Sequence, residues 1–367
     1  MAAPLSTNLK RLFGLLPKRV KIGTRPVGEG HPVFIIAEIG NNHNGDFNLA
    51  MRTIKAAADA GADAVKFQKR DVEALISKEM KEMPYVNERS FGKTYGEHRR
   101  NQELTIEDYK KLNDYTENLG MIFFATPHDI ASADELESIG VHAYKISSFD
   151  ITNQPLLIHV AKKDKPILLS TGMSSLEEMD RAIETILSYN NRLIVNHCTS
   201  IYPTPDENVD LNMVSVLRKR YAPLPVGYSG HEPDILPTIV SVGMGATTVE
   251  RHFTLDRTMR GSDHHMSIDP PMFKEMVDGI RRVEKLLGSL EKRIHEGELV
   301  VRNKLAKSIV AARDIQKGQR VTADDLVTKI PGSGINPVHL EGIIGRIADS
   351  DIPADTMLPE SALSWKR

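Results

Sequence analysis

Eight short apolar runs, each trailed by a helix-patterned stretch, constrain this chain more than any other feature of it. The runs are VFIIAEI (33–39), ADAVKFQ (62–68), MIFFATP (121–127), AYKIS (143–147), PILLS (166–170), RLIVNHC (192–198), LPVGYS (224–229) and ATTVERH (246–252). Near-continuous apolar character is what strands of a parallel sheet need when both faces are covered, because neither face meets water. Helix signals fall between the runs. Asn48 stands ahead of LAMRTIKAAADA with Gly61 behind it, Ser174 and Ser175 ahead of LEEMDRAIETIL, and Pro270 and Pro271 ahead of MFKEMVDGIRRVEKLLG. Eight βα units between residues 30 and 288 match the roughly 250 residues of a closed (β/α)8 TIM barrel. An open doubly wound sheet is the rival, but no G-x-G-x-x-G follows the first strand.

Residues 70–104 interrupt the rhythm, being too long and too charged for a βα connection of about 2–6 residues. They read either as a lid or specificity loop over the barrel mouth or as a solvated excursion. After Gly288 the pattern changes again: residues 289–303 read as a linker, and residues 304–367 as a small β-rich domain with KG, PGSG and IP turns. A domain of roughly 60 residues is marginal alone and is expected to pack against another surface. The first 23 residues carry five basic residues and a short apolar run, LFGLL, too short for a secretory core, and residues 1–29 read as an N-terminal extension. A net charge of -2 makes neither nucleic acid nor an anionic membrane an expected partner. The lone Cys198 cannot form an internal disulfide, which together with the lack of any apolar stretch near ~20 residues suggests a cytoplasmic location.

In a barrel of this kind reacting groups come from the C-terminal ends of several strands. Those ends are polar throughout: Glu38, Lys66 and Gln68, Thr126, Lys145, Ser170, Cys198 and Thr199, Ser229 and His231, Glu250 and His252. Strand alternation puts Glu250 and His252 on one face and turns Arg251 away. A buried ammonium loses its hydration, so Lys66 and Lys145 need anions, which Glu38 or Asp150 could supply from within. Hydroxyls at Thr126, Ser148, Ser170 and Ser229 point instead to a phosphorylated, carboxylated ligand. His231 and His252, ending neighbouring strands, are candidate ligands for a divalent metal such as Mn²⁺, Co²⁺, Fe²⁺ or Zn²⁺. Of the remaining histidines, His98, His142, His159, His295 and His339 read as surface or loop positions. His43, His264 and His265 fall in loops facing the mouth, and His197 reads as packing.

AEIGNNHNG (37–45), VKFQ (65–68), YKISSFD (144–150), LSTGM (169–173), HCTSIYPTP (197–205), GYSGH (227–231), ERHFTLD (250–256) and GSDH (261–264) together resemble the sialic-acid synthase family. KGQRVTADDL and PGSGI resemble the antifreeze-like (SAF-type) domain that such enzymes carry at the C-terminus. The resemblance implies condensation of phosphoenolpyruvate with N-acetylmannosamine or a close N-acyl hexosamine, giving an N-acetylneuraminate-type nonulosonic acid and phosphate. It implies that His231 and His252 hold Mn²⁺, and that Lys66, Thr126, Lys145, Ser148, Ser170, Ser200 and Ser229 hold phosphoenolpyruvate. Gln68, Tyr202 and Asp263 match positions nearer the sugar. Glu38 or Asp150 would stabilise positive charge at carbon 2 and direct water, and Glu250 would support them or act as a base. A homodimer is implied as well, each small domain lying over its partner's barrel. Two departures stand out: Ile330, beside Lys329, occupies a place where many bacterial members have Arg, and Asp150 replaces the Glu of several relatives. The alternatives are a legionaminate or pseudaminate synthase acting on a diacetamido 6-deoxyhexose, with GKTYGEHRR set against the pseudaminate branch, and an inactive carbohydrate-binding barrel.

Overall fold

The computed structural model describes residues 4–17 and 19–366 of the chain. Residues 1–3 and 18, in the expected N-terminal extension, and residue 367 of the small domain lie outside the described residues. Two units separate at Gly288, Met1–Gly288 and Ser289–Arg367.

The first unit opens with a helix, Thr7–Phe13, that buries Leu9 and Phe13, and with an antiparallel hairpin of β1 (Val20–Ile22) and β2 (Arg25–Val27). The segment read as an extension is thus built into this unit. Eight parallel strands follow: β3 (Phe34–Gly40), β4 (Ala64–Lys69), β5 (Ile122–Pro127), β6 (Tyr144–Ile146), β7 (Ile167–Ser170), β8 (Leu193–Cys198), β9 (Val226–Gly230) and β10 (Thr248–His252). They close in chain order, β10 pairing with β3, which is the expected (β/α)8 barrel.

Period-2 alternation sorts the barrel's residues into two cores. Phe34 and Ile36 of β3, Ile122 and Phe124 of β5 and Leu168 of β7 point inward and pack with Val20, Ile22 and Val27 of the hairpin. The hairpin therefore plugs the N-terminal end of the lumen. Ile35, Ala37, Phe123 and Leu169, one residue out of phase, join the outer core beneath the helices. Continuing the inward series toward the C-terminal ends gives Glu38, Thr126 and Ser170, so parity alone carries each strand from apolar floor to polar mouth.

Helix starts follow local chemistry. Phe47–Asp59 is capped by Asp46, whose carboxylate accepts from the N–H groups of Asn48 and Leu49, and not by Asn48, which lies inside the first turn. Leu176–Leu187 opens with the reciprocal Ser175 and Glu178 capping box, and Pro270–Leu287 starts on its prolines after Asp269. Residues 70–104 are folded, with helices Val72–Leu75, Lys78–Glu82 and Tyr95–Arg100 and a bridge between Pro84 and Thr94. His98 is not a surface residue here: it is 0% exposed, its ring packed among Tyr85, Phe91 and Tyr95. Gly92 lets the chain pass close to this helix, since a Cβ there would sit 2.6 Å from the His98 backbone nitrogen.

The second unit pairs β11 (Ser308–Ala311) with β12 (Leu326–Lys329) and closes around Ile309, Ile315, Val321, Ile335, Ile352 and Trp365. The stretch read as a linker ends in a helix, Glu296–Leu305, tied to this unit by the Gly332 N–H donating to the Asn303 carbonyl. Among the described residues no helix is long and apolar enough to cross a membrane.

Candidate active site at the C-terminal mouth of the barrel

Lys66, on the inward stripe of β4, places Nζ 2.7 Å from Glu38 Oε2, 3.6 Å from Glu250 Oε1 and 2.9 Å from Thr126 Oγ1. Lys145, from β6, reaches the same Glu250 oxygen at 3.6 Å. One carboxylate of β10 therefore faces two ammonium groups. Burial pulls Lys66 down, but Glu250 and Glu38 outweigh it and hold the group above its ordinary value. Burial wins at Lys145, opposed first by Glu250 and reinforced by repulsion from Lys66, and this ammonium is held below its usual range. Glu250 shows the converse: burial would raise it, yet Lys145 and Lys66 keep it low, whereas burial keeps Glu38 high despite Lys66.

Hydroxyls ring the same space. The Ser170 and Ser200 oxygens are buried with no hydrogen-bond partner, and Ser148 Oγ accepts from the Gly172 N–H at 3.0 Å. A Cβ on Gly172 would lie 2.3 Å from Ser200 Oγ and 2.9 Å from Ser148 Oγ, so the glycine lets these hydroxyls converge. Ser229 Oγ lies 3.4 Å from Glu250 Oε1. A cavity of about 340 Å³ opens alongside, lined by residues 171–174 and 197–201, and shares Ser200 with this centre but not the lysines.

His231 and His252 meet at the ends of β9 and β10, their ring centroids 5.5 Å apart at 48°. His231 Nδ1 is 2.9 Å from the Thr199 carbonyl, which fixes the proton there and leaves Nε2 its lone pair. His252 Nδ1 is buried without a hydrogen bond, 3.9 Å from Asp263 Oδ2. Burial, reinforced by His231 and opposed by Asp263, takes the His252 imidazole down to about 3, so it is neutral, the form that binds metal. Two neighbouring imidazoles are the donor type that a divalent ion takes. Among the described residues no third His, Cys, Asp or Glu completes a cluster, which leaves the other positions to water or substrate. The Tyr202 ring lies against that of His231, centroids 4.2 Å apart and tilted by 50°. Arg251, facing away as parity requires, is 1% exposed and donates to the Asp234 carbonyl at 2.6 Å and Thr238 Oγ1 at 2.9 Å, pinning the loop after His231.

Asp150 does not serve the lysines as the sequence suggested. The short turn Ser148–Asp150 directs its carboxylate to Ser147 Oγ (2.7 Å), Asn153 Nδ2 (3.1 Å) and His128 Nδ1 (3.5 Å). Gln68 Nε2 donates to Glu38 Oε1 at 2.8 Å and its oxygen accepts from Arg70 Nη2 at 2.7 Å. Of the three histidines expected at the mouth, His43 and His264 are 1% exposed, His264 against Thr254, while His265 meets Arg89 at 3.3 Å. His197 packs, donating Nε2 to the Val209 carbonyl at 2.8 Å. His128 and Arg70 were not singled out from sequence. Each lies two residues beyond an expected site residue, Thr126 and Gln68, so the period-2 stripe extended past the strand end would have found both.

The model of the NeuB family matches residues 53–292 and that of the SAF domain residues 306–364. An uncharacterized protein of Methanocaldococcus jannaschii is 43% identical over 93% of this chain and 97% of its own length. N-acetylneuraminate-9-phosphate synthase of Mus musculus is 38% identical over 94% of this chain and 96% of its own. N,N'-diacetyllegionaminic acid synthase of Legionella pneumophila is 40% identical over 92% of this chain and 96% of its own.

Proposed function

Because the chain belongs to the NeuB family and carries a SAF domain, we propose that it is a phosphoenolpyruvate-dependent nonulosonic-acid synthase whose acceptor is an N-acylmannosamine. The observation that carries the reading is the pairing of two buried ammonium groups and unpartnered serine hydroxyls with two free imidazole nitrogens at one barrel mouth.

Carbon 3 of phosphoenolpyruvate forms a bond to the aldehyde carbon of the open sugar as its double bond opens. Water adds to carbon 2, and phosphate leaves to give the 2-keto acid. Lys66 and Lys145 grip the anionic ends of phosphoenolpyruvate, with Ser148, Ser170, Ser200, Ser229 and Thr126 as neutral donors. Glu38, whose carboxylate burial makes more basic and Lys66 helps keep ionised, stands beside Lys66 to take the proton of the incoming water. Glu250 keeps both ammonium groups charged and in place, and Asp150 with His128 holds the turn that presents Ser148. Gln68, Tyr202 and Asp263 face the sugar. A divalent ion, Mn²⁺ in this reading, would be held by His231 and His252 and would polarise the acceptor aldehyde. The SAF domain closes a partner's barrel in a dimer, with Ile330 where an Arg would otherwise reach the acceptor.

The relatives differ in the products they are named for, one a 9-phosphorylated N-acetylneuraminate and another N,N'-diacetyllegionaminic acid. The second reading is therefore a diacetamido 6-deoxyhexose as acceptor. With Mn²⁺ and phosphoenolpyruvate present, phosphate release is expected with N-acetylmannosamine. Release confined to the 2,4-diacetamido 6-deoxy sugar would transfer the proposal to the second reading. No release with any amino sugar, and no thermal stabilisation by Mn²⁺ plus phosphoenolpyruvate, would leave an inert carbohydrate-binding barrel.

A further inference from the structure

A fully buried ion pair that the mechanism above does not use lies directly behind the two imidazoles. Glu232 follows His231 and Arg251 precedes His252, and each is 1% exposed. Arg251 Nη1 is 3.3 Å from Glu232 Oε1, and its Nη2 donates to the Glu232 carbonyl. The other carboxylate oxygen of Glu232 accepts from the Tyr228 hydroxyl at 2.9 Å, and Thr238, on helix Leu236–Gly243, donates to Oε1 at 3.3 Å. Gly230 makes room for this, since a Cβ there would lie 2.5 Å and 2.6 Å from the two Glu232 oxygens.

The sheet by itself leaves the spacing of the two rings open. The ladder between β9 and β10 pairs Val249 with Tyr228, Glu250 with Ser229 and Arg251 with Gly230, and stops there, one residue short of both His231 and His252. His252 is carried on by β3, where it pairs with Glu38, while the His231 carbonyl turns to accept from the Thr204 N–H at 3.1 Å. The side chains of Arg251 and Glu232 continue the ladder where the backbone ends it. Tyr228, Gly230 and Glu232 share the outward parity of Arg251, so this link lies on the far side of the strands from the ligand space. A buried ion pair adds little net stability over an apolar pair of the same volume, so folding alone gives weak reason to keep one here. What it supplies is a fixed distance between two backbone points that each carry an imidazole.

We propose that Glu232 and Arg251 are positioning residues for the divalent ion: by locking the end of β9 to β10 they set the separation of the His231 and His252 rings, and with it the affinity of the mouth for the ion. The inference rests on the metal reading of these histidines and deepens it, giving a role to side chains that face away from ion and substrates alike.

The test titrates the full chain with Mn²⁺ alone, no substrate present, following loss of the aqueous ion's electron paramagnetic resonance signal. Wild type is expected to bind the ion and His252→Ala to lose it. Glu232→Gln, which keeps the shape of the side chain and removes its charge, should raise the Mn²⁺ Kd about 10- to 100-fold, and Tyr228→Phe, which removes one donor to Glu232, about 3-fold or more. Arg251→Lys, with the charge but not the fork, should bind more tightly than Arg251→Met. The Mn²⁺ concentration that half-activates turnover should rise by the same factor, with KM for phosphoenolpyruvate at saturating Mn²⁺ little changed. If Glu232→Gln does not fold, Tyr228→Phe and Thr238→Val, each losing one hydroxyl, carry the test. An unchanged Mn²⁺ Kd in the folded variants, whatever their melting temperatures do, would overturn the proposal and leave the pair as packing. Wild type that takes no Mn²⁺, or His252→Ala that takes it as well as wild type, would remove the metal reading and the inference together. Turnover absent with every amino sugar, beside a Kd that still answers to Glu232, would sink the synthase reading and leave the positioning role standing.

Discussion

The floor and the mouth of the barrel lumen are built by the same strands from the same inward series, yet they are opposite in character. Lys66 and Phe124 are register partners on β4 and β5, and the change happens at that rung. Below it the inward side chains are apolar and the hairpin Val20–Val27 seals them. Above it they are charged or hydroxylic, and several have no partner. The floor gains by excluding water, and the mouth holds ammonium groups paired to Glu38 and Glu250 beside serine hydroxyls that have no partner. Stability and function are thus stacked along one axis, which is why the mouth can be costly without unfolding the whole.

Substitutions should split along that rung. Lys145→Met is expected to lower kcat/KM for phosphoenolpyruvate about 1,000-fold, the scale of losing a preorganised charge, while the melting temperature holds or rises because burial already disfavours this ammonium. A large fall in melting temperature with proportionate loss of activity would mean the mouth is structural. Phe124→Ala, on the floor at 0% exposure, should cost about 3–5 kcal/mol in urea unfolding while leaving KM values close to wild type. A stability loss under about 1 kcal/mol would show that the hairpin does not seal a tight core.

The pH dependence of stability probes the border more gently. Burial holds His43 down to about 3 and His128 down to about 4, the latter also repelled by Arg70 and supported by Asp150. Both folded values lie below the unfolded one, so the unfolded chain binds more protons and stability falls as pH drops below about 6.5. Between pH 6.5 and 5 each should cost about 2 kcal/mol, read from urea midpoints, and His128→Gln should remove its share of the slope. An unchanged slope in that variant would mean His128 is protonated in the fold. Smallest is the helix cap on the outer layer: Asp46→Ala should cost about 1 kcal/mol, and Asn48→Ala close to nothing.

Much of this was legible in the chain because it depends on short-range periodicity. The eight runs became the eight strands, and Glu38, Lys66, Gln68, Thr126, Lys145, Ser170, Ser229, Glu250 and His252 lie at or near their C-terminal ends as the alternation required. Asp46 was passed over in favour of Asn48 because a cap is chosen by which side chain reaches the free N–H groups, and that depends on where the preceding loop turns. His98 was read as exposed because its sequence neighbours are charged. The rings that bury it include Tyr85, thirteen residues away, brought over by the bridge between Pro84 and Thr94.

The sequence by itself determined how many strands there are and, through period-2 parity, which side chains look into the lumen, since both follow from backbone geometry within a few residues. The pairing of those side chains was decided only by tertiary structure. Glu250 serves Lys145 across the lumen because β10 closes on β3, and Asp150 is drawn off to His128 by one short turn. Distances across a closed barrel depend on every strand at once, and no local pattern encodes them.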